Sequence, residues 1–119
     1  MSESIVREKT FKLAALGVEF YKRLISDKKE YVMSKQFLRS ITSVGANVRE
    51  AVNAQSKADF IHKLSIAQKE CDESMYWLEL LLETKYISEQ DFKIIHQPTQ
   101  EVLRIIRSII ITSNKTHNL

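Results

Sequence analysis

Three histidines, one cysteine and fifteen carboxylates are what this chain of 119 residues offers to chemistry. The pairs Glu70/Glu73 and Glu79/Glu83 sit at helical spacing. A helical bundle can build a carboxylate metal centre from such pairs. A di-iron centre of that kind also needs Glu-x-x-His on two helices, and the chain has no such pair. His62, His96 and His117 stand alone in sequence, with His96 the one placed to be partly buried. There is no glycine-rich phosphate loop, no paired-cysteine spacing and no serine nucleophile elbow. The sequence therefore predicts no catalytic residue, no metal ligand and no cofactor, and it reads as a non-enzyme.

The elements that carry these residues are helices. Two glycines and one proline leave little material for hairpins. The periodicity predicts helices over about 3–26, 34–53, 56–84 and 88–113. Ser56 with Asp59, and Ser88 with Asp91, form N-terminal capping signatures. Pro98 predicts a kink or local restart in the last helix, and the final "NKTHNL" is expected to fray. Short links make neighbours antiparallel, so the expected fold is all-α: one up-down-up-down four-helix bundle spanning residues 1–119.

Composition narrows the class further. A lone cysteine rules out an internal disulfide, and no run approaches the roughly 18 apolar residues that cross a membrane. A cytoplasmic protein with no membrane partner is expected. Net charge is +3 and the pI near 9.0, compatible with nucleic acid.

In the third helix, Phe60, Leu64, Ala67, Cys71, Met75, Leu78 and Leu82 fall within an arc of roughly 80°. This is a core stripe, with Cys71 as a small buried hydrophobe and Met75 as filler. A second line, Ile66, Trp77 and Leu81, lies away from it. The first helix is also two-sided: Phe11, Ala14, Ala15, Val18 and Ile25 on one face, Leu13, Leu16, Phe20 and Leu24 on the other. A lone bundle helix needs one apolar stripe. Either an asymmetric bundle wraps the second lines itself, or copies of the chain cover one another.

The second helix turns Phe37, Ile41, Val44, Val48 and Val52 to one side, and Gln36, Arg39, Ser43, Asn47 and Glu50 to another. Gly45 inside it costs about 1 kcal/mol relative to alanine, which the close approach of another helix would offset. The polar row is either solvated surface or a set of hydrogen-bonding groups for a neighbour. In the latter case Ser43 and Arg39 pair across an interface, and Asn47 with Glu50 anchors the turn into helix three. The candidates for interhelix or intersubunit contact are thus Ser43, Asn47, Glu50, Ile66, Trp77 and Leu81.

The segment "SITSVGANVREAVNAQSKADFIHKLSIAQKECDESMYWLELLLETKYI" resembles the bacterial four-helix-bundle family of 23S ribosomal RNA intervening-sequence proteins. The likeness runs through Ser43, Asn47, Glu50, Ser56, Asp59, Phe60, Ile61, Leu64, Ile66, Ala67, Glu70, Glu73, Trp77, Tyr86 and Ile87. Ala51 stands where many members carry glycine. The resemblance implies a cytoplasmic bundle assembled as a homopentamer. That family is similar to the accessory protein of diversity-generating retroelements, a pentameric barrel that binds RNA and a reverse transcriptase.

Charge is segregated along the chain. Through residue 56 there are ten basic and six acidic side chains; from Lys57 to Lys85 there are four and six. Repetition around a ring would multiply phosphate contacts. The expected function is RNA or DNA binding by a homo-oligomer through Lys35, Arg39, Arg49, Lys57 and Lys63, without base stacking because few aromatics are expected at the surface. The alternative is a scaffold that docks a protein partner.

Overall fold

The computed structural model describes residues 2–117, with side chains for 3–115. Four helices follow one another: α1 (Ser2–Asp27), α2 (Met33–Val52), α3 (Lys57–Glu83) and α4 (Glu89–His117). They pack as a square, each touching its two neighbours in sequence, with α1 closing against α4. The resulting rod measures 51 × 21 × 21 Å. Directions follow from the side chains that meet. Phe20 packs edge-on against Phe37 at 5.5 Å, and farther along the same two helices Gly45 comes up against Thr10. Glu50 reaches Lys63, and Arg39 reaches Glu70 and Glu73. Lys9 reaches Glu101, and Arg23 reaches Asp91. In each pair one number rises as the other falls, so the arrangement is up-down-up-down.

Both capping signatures form. Ser56 Oγ accepts the Asp59 amide at 3.1 Å, and Ser88 Oγ accepts that of Asp91 at 3.1 Å. α3 ends in a Schellman turn. Lys85 takes the left-handed conformation (φ 68°), the Tyr86 amide donates to the Leu81 carbonyl and the Lys85 amide to that of Leu82. α2 starts differently. Its N-cap is Val32, which has no capping side chain. The Glu30 carboxylate replaces it, accepting the amides of Val32, Met33 and Ser34 at 3.1, 3.0 and 2.6 Å. The link expected to be a plain polar turn therefore holds a buried acid.

α4 differs from expectation at two places. It runs through Pro98 without a restart, and it continues to His117 rather than ending near Ser113. The His117 side chain, Asn118 and Leu119 lie outside the described residues. Ile109 and Ile110 pack helically against the core, while Ile111 faces outward.

The core settles which side of each two-sided helix is interior. Leu13, Phe20 and Leu24 are buried within one chain. Leu81 is buried as well, at 0 % exposure. It cannot present surface to a second subunit, so its assignment to an oligomer interface is corrected. Its position, three residues after Leu78 on the core-facing arc, explains this: the core arc of α3 is wider than the narrow stripe. Cys71 is interior too, its thiol donating to the Thr99 carbonyl at 3.3 Å. Burial pushes that thiol up to about 12, so it is neither nucleophile nor ligand at neutral pH.

Both glycines sit where α1 crosses α2. A Cβ on Gly45 would lie 3.2 Å from the Thr10 carbonyl oxygen, and one on Gly17 would lie 2.5 Å from Ile41 Cγ2. The close approach expected at Gly45 is thus real, and α1 supplies it.

Candidate interaction surfaces

The polar row of α2 and the outer line of α3 form one seam. On α3, Lys63, Ile66, Glu70, Glu73 and Trp77 follow at alternating spacings of three and four, which places them on one flank. The antiparallel register sets that flank against Arg39 and Glu50. The Arg39 guanidinium bridges Glu70 (3.4 Å) and Glu73, and Glu73 also accepts the Trp77 indole N–H at 3.3 Å. Lys63 meets Glu50 at 2.8 Å, and this hydrogen bond and charge raise its pKa above the ordinary lysine range.

The roles expected along this row are therefore redistributed. Arg39 and Lys63 are neutralised within the chain and lose their place as free phosphate contacts. Within the chain, the Ser43 hydroxyl donates to the Arg39 carbonyl of its own helix at 2.7 Å. Asn47 donates to the Ser43 carbonyl at 2.9 Å instead of joining Glu50 at the turn. Both are half-buried, so they border the seam without crossing it. The polar contact that does cross between these helices is deeper. Ser74 Oγ meets Ser40 Oγ at 2.8 Å, both residues wholly buried. Each hydroxyl also has a carbonyl of its own helix in reach, Phe37 at 3.0 Å for Ser40 and Glu70 at 2.9 Å for Ser74, so one proton of the two spans the pair.

Ile66 and Trp77 are half-buried, and Tyr76 beside Trp77 is exposed. This leaves an apolar edge along the seam, narrower than the two full stripes expected.

A second surface opens on the far side of α2. Arg7, Phe11 and Ala14 of α1 and Thr42, Gly45, Ala46, Arg49 and Glu50 of α2 line a groove of about 420 Å³. Phe11 is 63 % exposed. The Arg49 guanidinium stands over its ring at 5.9 Å. Among the described residues, neither Arg7 nor Arg49 has a carboxylate within ion-pair distance. The nearby acids are engaged elsewhere: Glu50 with Lys63, Glu8 with Lys12. The expectation of a surface poor in aromatics is corrected by Phe11, Tyr31 and Tyr76, all more than half exposed. Only one signal pointed to this groove, the apolar second face of α1. Arg7 appeared only as part of a basic tally.

Of the remaining candidates, Lys35 is exposed in the first turn of α2 and Lys57 is exposed at the start of α3, each without an ion-pair partner among the described residues. They lie at opposite ends of the rod and form no common cluster with each other. His62 is exposed, and His96 stacks on Phe92 at 4.5 Å. Among the described residues, no three His, Cys, Asp or Glu side chains converge as metal ligands. No helix among them is long and apolar enough to cross a membrane.

No curated protein matches the chain. Among solved structures, a 1.70 Å crystal structure of a Bacteroides thetaiotaomicron protein of unknown function, from the S23 ribosomal protein family, superposes with a TM-score of 0.91. The two are 49 % identical, over 92 % of this chain and 98 % of that one. A family model, 23S rRNA-intervening sequence protein, matches residues 2–108, which takes in three whole helices and most of α4. The square of four helices, the capped start of α3 and the matched span together place the chain in the 23S rRNA-intervening sequence protein family.

Proposed function

We propose that this protein is a non-catalytic, cytoplasmic, self-associating bundle that binds RNA through the phosphate backbone. The observation that carries the reading is the pair of unpaired guanidiniums, Arg7 and Arg49, beside one open groove. Most other cations of α1 and α2 are spent: Lys9, Lys12, Lys22, Arg23 and Arg39 all meet carboxylates, as does Lys63 of α3. Two arginines left uncompensated on a structured face are a phosphate footprint. Repetition through self-association multiplies such weak contacts, because later sites engage at high effective concentration.

The binding test is a gel-shift series from about 50 to 200 mM salt, over which several phosphate contacts lose orders of magnitude in affinity. Arg49→Glu is expected to weaken binding about 10-fold or more and to flatten the salt dependence. Arg39→Glu is expected to act on the fold instead, because it sets a third carboxylate beside Glu70 and Glu73. Binding that ignores salt, or survives Arg49→Glu unchanged, rejects the reading.

Self-association is assigned to the seam edge bearing Ile66, Tyr76 and Trp77. Light scattering is expected to return a multiple of the 13.9 kDa chain, near 70 kDa for the five copies that the family resemblance implies. Ile66→Asp is expected to shift that mass toward one chain while the helical circular dichroism stays. A wild-type mass of 13.9 kDa would remove self-association from the proposal.

A further inference from the structure

We propose that the α1–α2 groove is a single-nucleotide pocket for unpaired RNA: a base lies against Phe11, and the adjoining phosphate sits between Arg7 and Arg49. This rests on the RNA-binding reading and assigns it a strand type and a site.

Four features of the groove argue for this occupant. First, the walls differ in kind. One is an open aromatic ring, of which 63 % of the residue's surface remains exposed despite the guanidinium beside it. An aromatic face in water is poorly solvated, and any base can stack on it. Second, the floor is small. Ala14, Gly45 and Ala46 bring no bulk, so a flat ring can come close to the helix surfaces. Third, charge is one-sided. Among the described residues Arg7 and Arg49 have no carboxylate partner, since Glu8 and Glu50 are held by Lys12 and Lys63. Fourth, Thr42 lines the groove and spends its proton on the Leu38 carbonyl at 2.8 Å, so toward any ligand its hydroxyl can only accept. At about 420 Å³ the space falls in the range of small-ligand sites, large enough for one nucleotide.

A duplex cannot use this site. Its bases are stacked on one another, and only its phosphates reach a protein that does not flip them. Phosphate contact with Arg7 and Arg49 is open to both strand types, whereas contact with Phe11 is open only to a free base. The two side-chain classes thus separate the two sources of affinity.

The experiment is fluorescence anisotropy with the full chain, using a labelled oligouridine and a labelled RNA duplex of equal length across a salt series. Phe11→Ala is expected to weaken oligouridine binding about 5- to 10-fold at every salt concentration, with the salt slope intact and the duplex unaffected. Phe11→Trp is expected to retain or tighten it. Arg7→Gln and Arg49→Gln are each expected to lower the salt slope by about one for both RNAs. Phe11 is mostly exposed, so its replacement leaves the core untouched, and circular dichroism verifies this. Wild-type affinity in Phe11→Ala, or an equal loss for single strand and duplex, overturns the pocket and leaves RNA binding standing. Failure of the wild-type chain to bind either RNA at low salt overturns both.

Discussion

Replacing Glu30 with alanine is expected to destabilise the bundle by about 2–3 kcal/mol, measured by urea denaturation at neutral pH. The size comes from what one carboxylate does. It is 7 % exposed, and it accepts the amides of Val32, Met33 and Ser34. Those amides open α2 and have no carbonyl of the preceding turn to donate to. The negative charge also faces the positive end of the helix dipole. Ser34 completes the lock, its hydroxyl donating to the Glu30 carbonyl at 2.6 Å. Without the carboxylate, Val32 and the buried start of α2 have no cap of their own, so the first turn is expected to fray.

The same group gives this loss a pH signature. Burial alone pushes the Glu30 carboxyl up, but the hydrogen bonds from Ser34, Met33 and Val32 outweigh it and hold the pKa below the ordinary value of 4.5. A depressed acid binds its proton more weakly in the folded chain than in the unfolded one. Its contribution is therefore whole above 4.5 and is lost as the pH falls through the lower folded value. Glu30→Gln, which keeps the shape without the charge, removes that dependence. The stability gap between wild type and Glu30→Gln is expected to stay flat from neutral pH down to about 5 and to close below it. A gap that does not change on acidification would show that the cap works without its charge.

Glu30 also marks where legibility stops. The capping signatures at Ser56 and Ser88 could be read because the acceptor and its amide are three residues apart in one segment. Glu30 reaches forward from outside the helix, past a Val32 that looks like no cap, and no short pattern announces it. The core stripe of α3 was legible for a similar reason: 3.6-residue periodicity is local. What periodicity cannot say is which of two apolar faces meets the neighbours. On α1, the face with Leu13, Phe20 and Leu24 turned inward, and the one with Phe11 turned out. Both look alike on a helical wheel, and only the positions of α2 and α4 decide between them. Charge neutralisation is less local still. Arg39 and Lys63 looked like free cations until the register of α2 against α3 placed Glu70, Glu73 and Glu50 beside them.

The crossing of α1 and α2 at Gly17 supplies the other large effect. Gly17→Ala is expected to cost about 1–2 kcal/mol net, and Gly17→Leu about 3 kcal/mol. Alanine in a helix interior gains about 1 kcal/mol over glycine from propensity alone, so an unhindered site would be stabilised. Gly17 is hindered. The new methyl would lie 2.5 Å from Ile41 Cγ2 and 3.1 Å from Cγ1, and Ile41 is wholly buried with a stiff, β-branched side chain. Either Ile41 leaves its rotamer or α1 moves away from α2, and each course loosens a close-packed core. Gly45→Ala is the internal comparison. Its methyl would meet the Thr10 carbonyl oxygen at 3.2 Å, a milder contact that a small shift of α1 relieves, so the propensity gain nearly cancels it. The clash at Gly17 is with a side chain, which makes it separable: in an Ile41→Ala background, where Cγ1 and Cγ2 are gone, Gly17→Ala is expected to become neutral or stabilising. A double-mutant cycle on urea midpoints reads that coupling directly. Simple additivity of the two changes would mean that the helices are held apart by something other than Ile41.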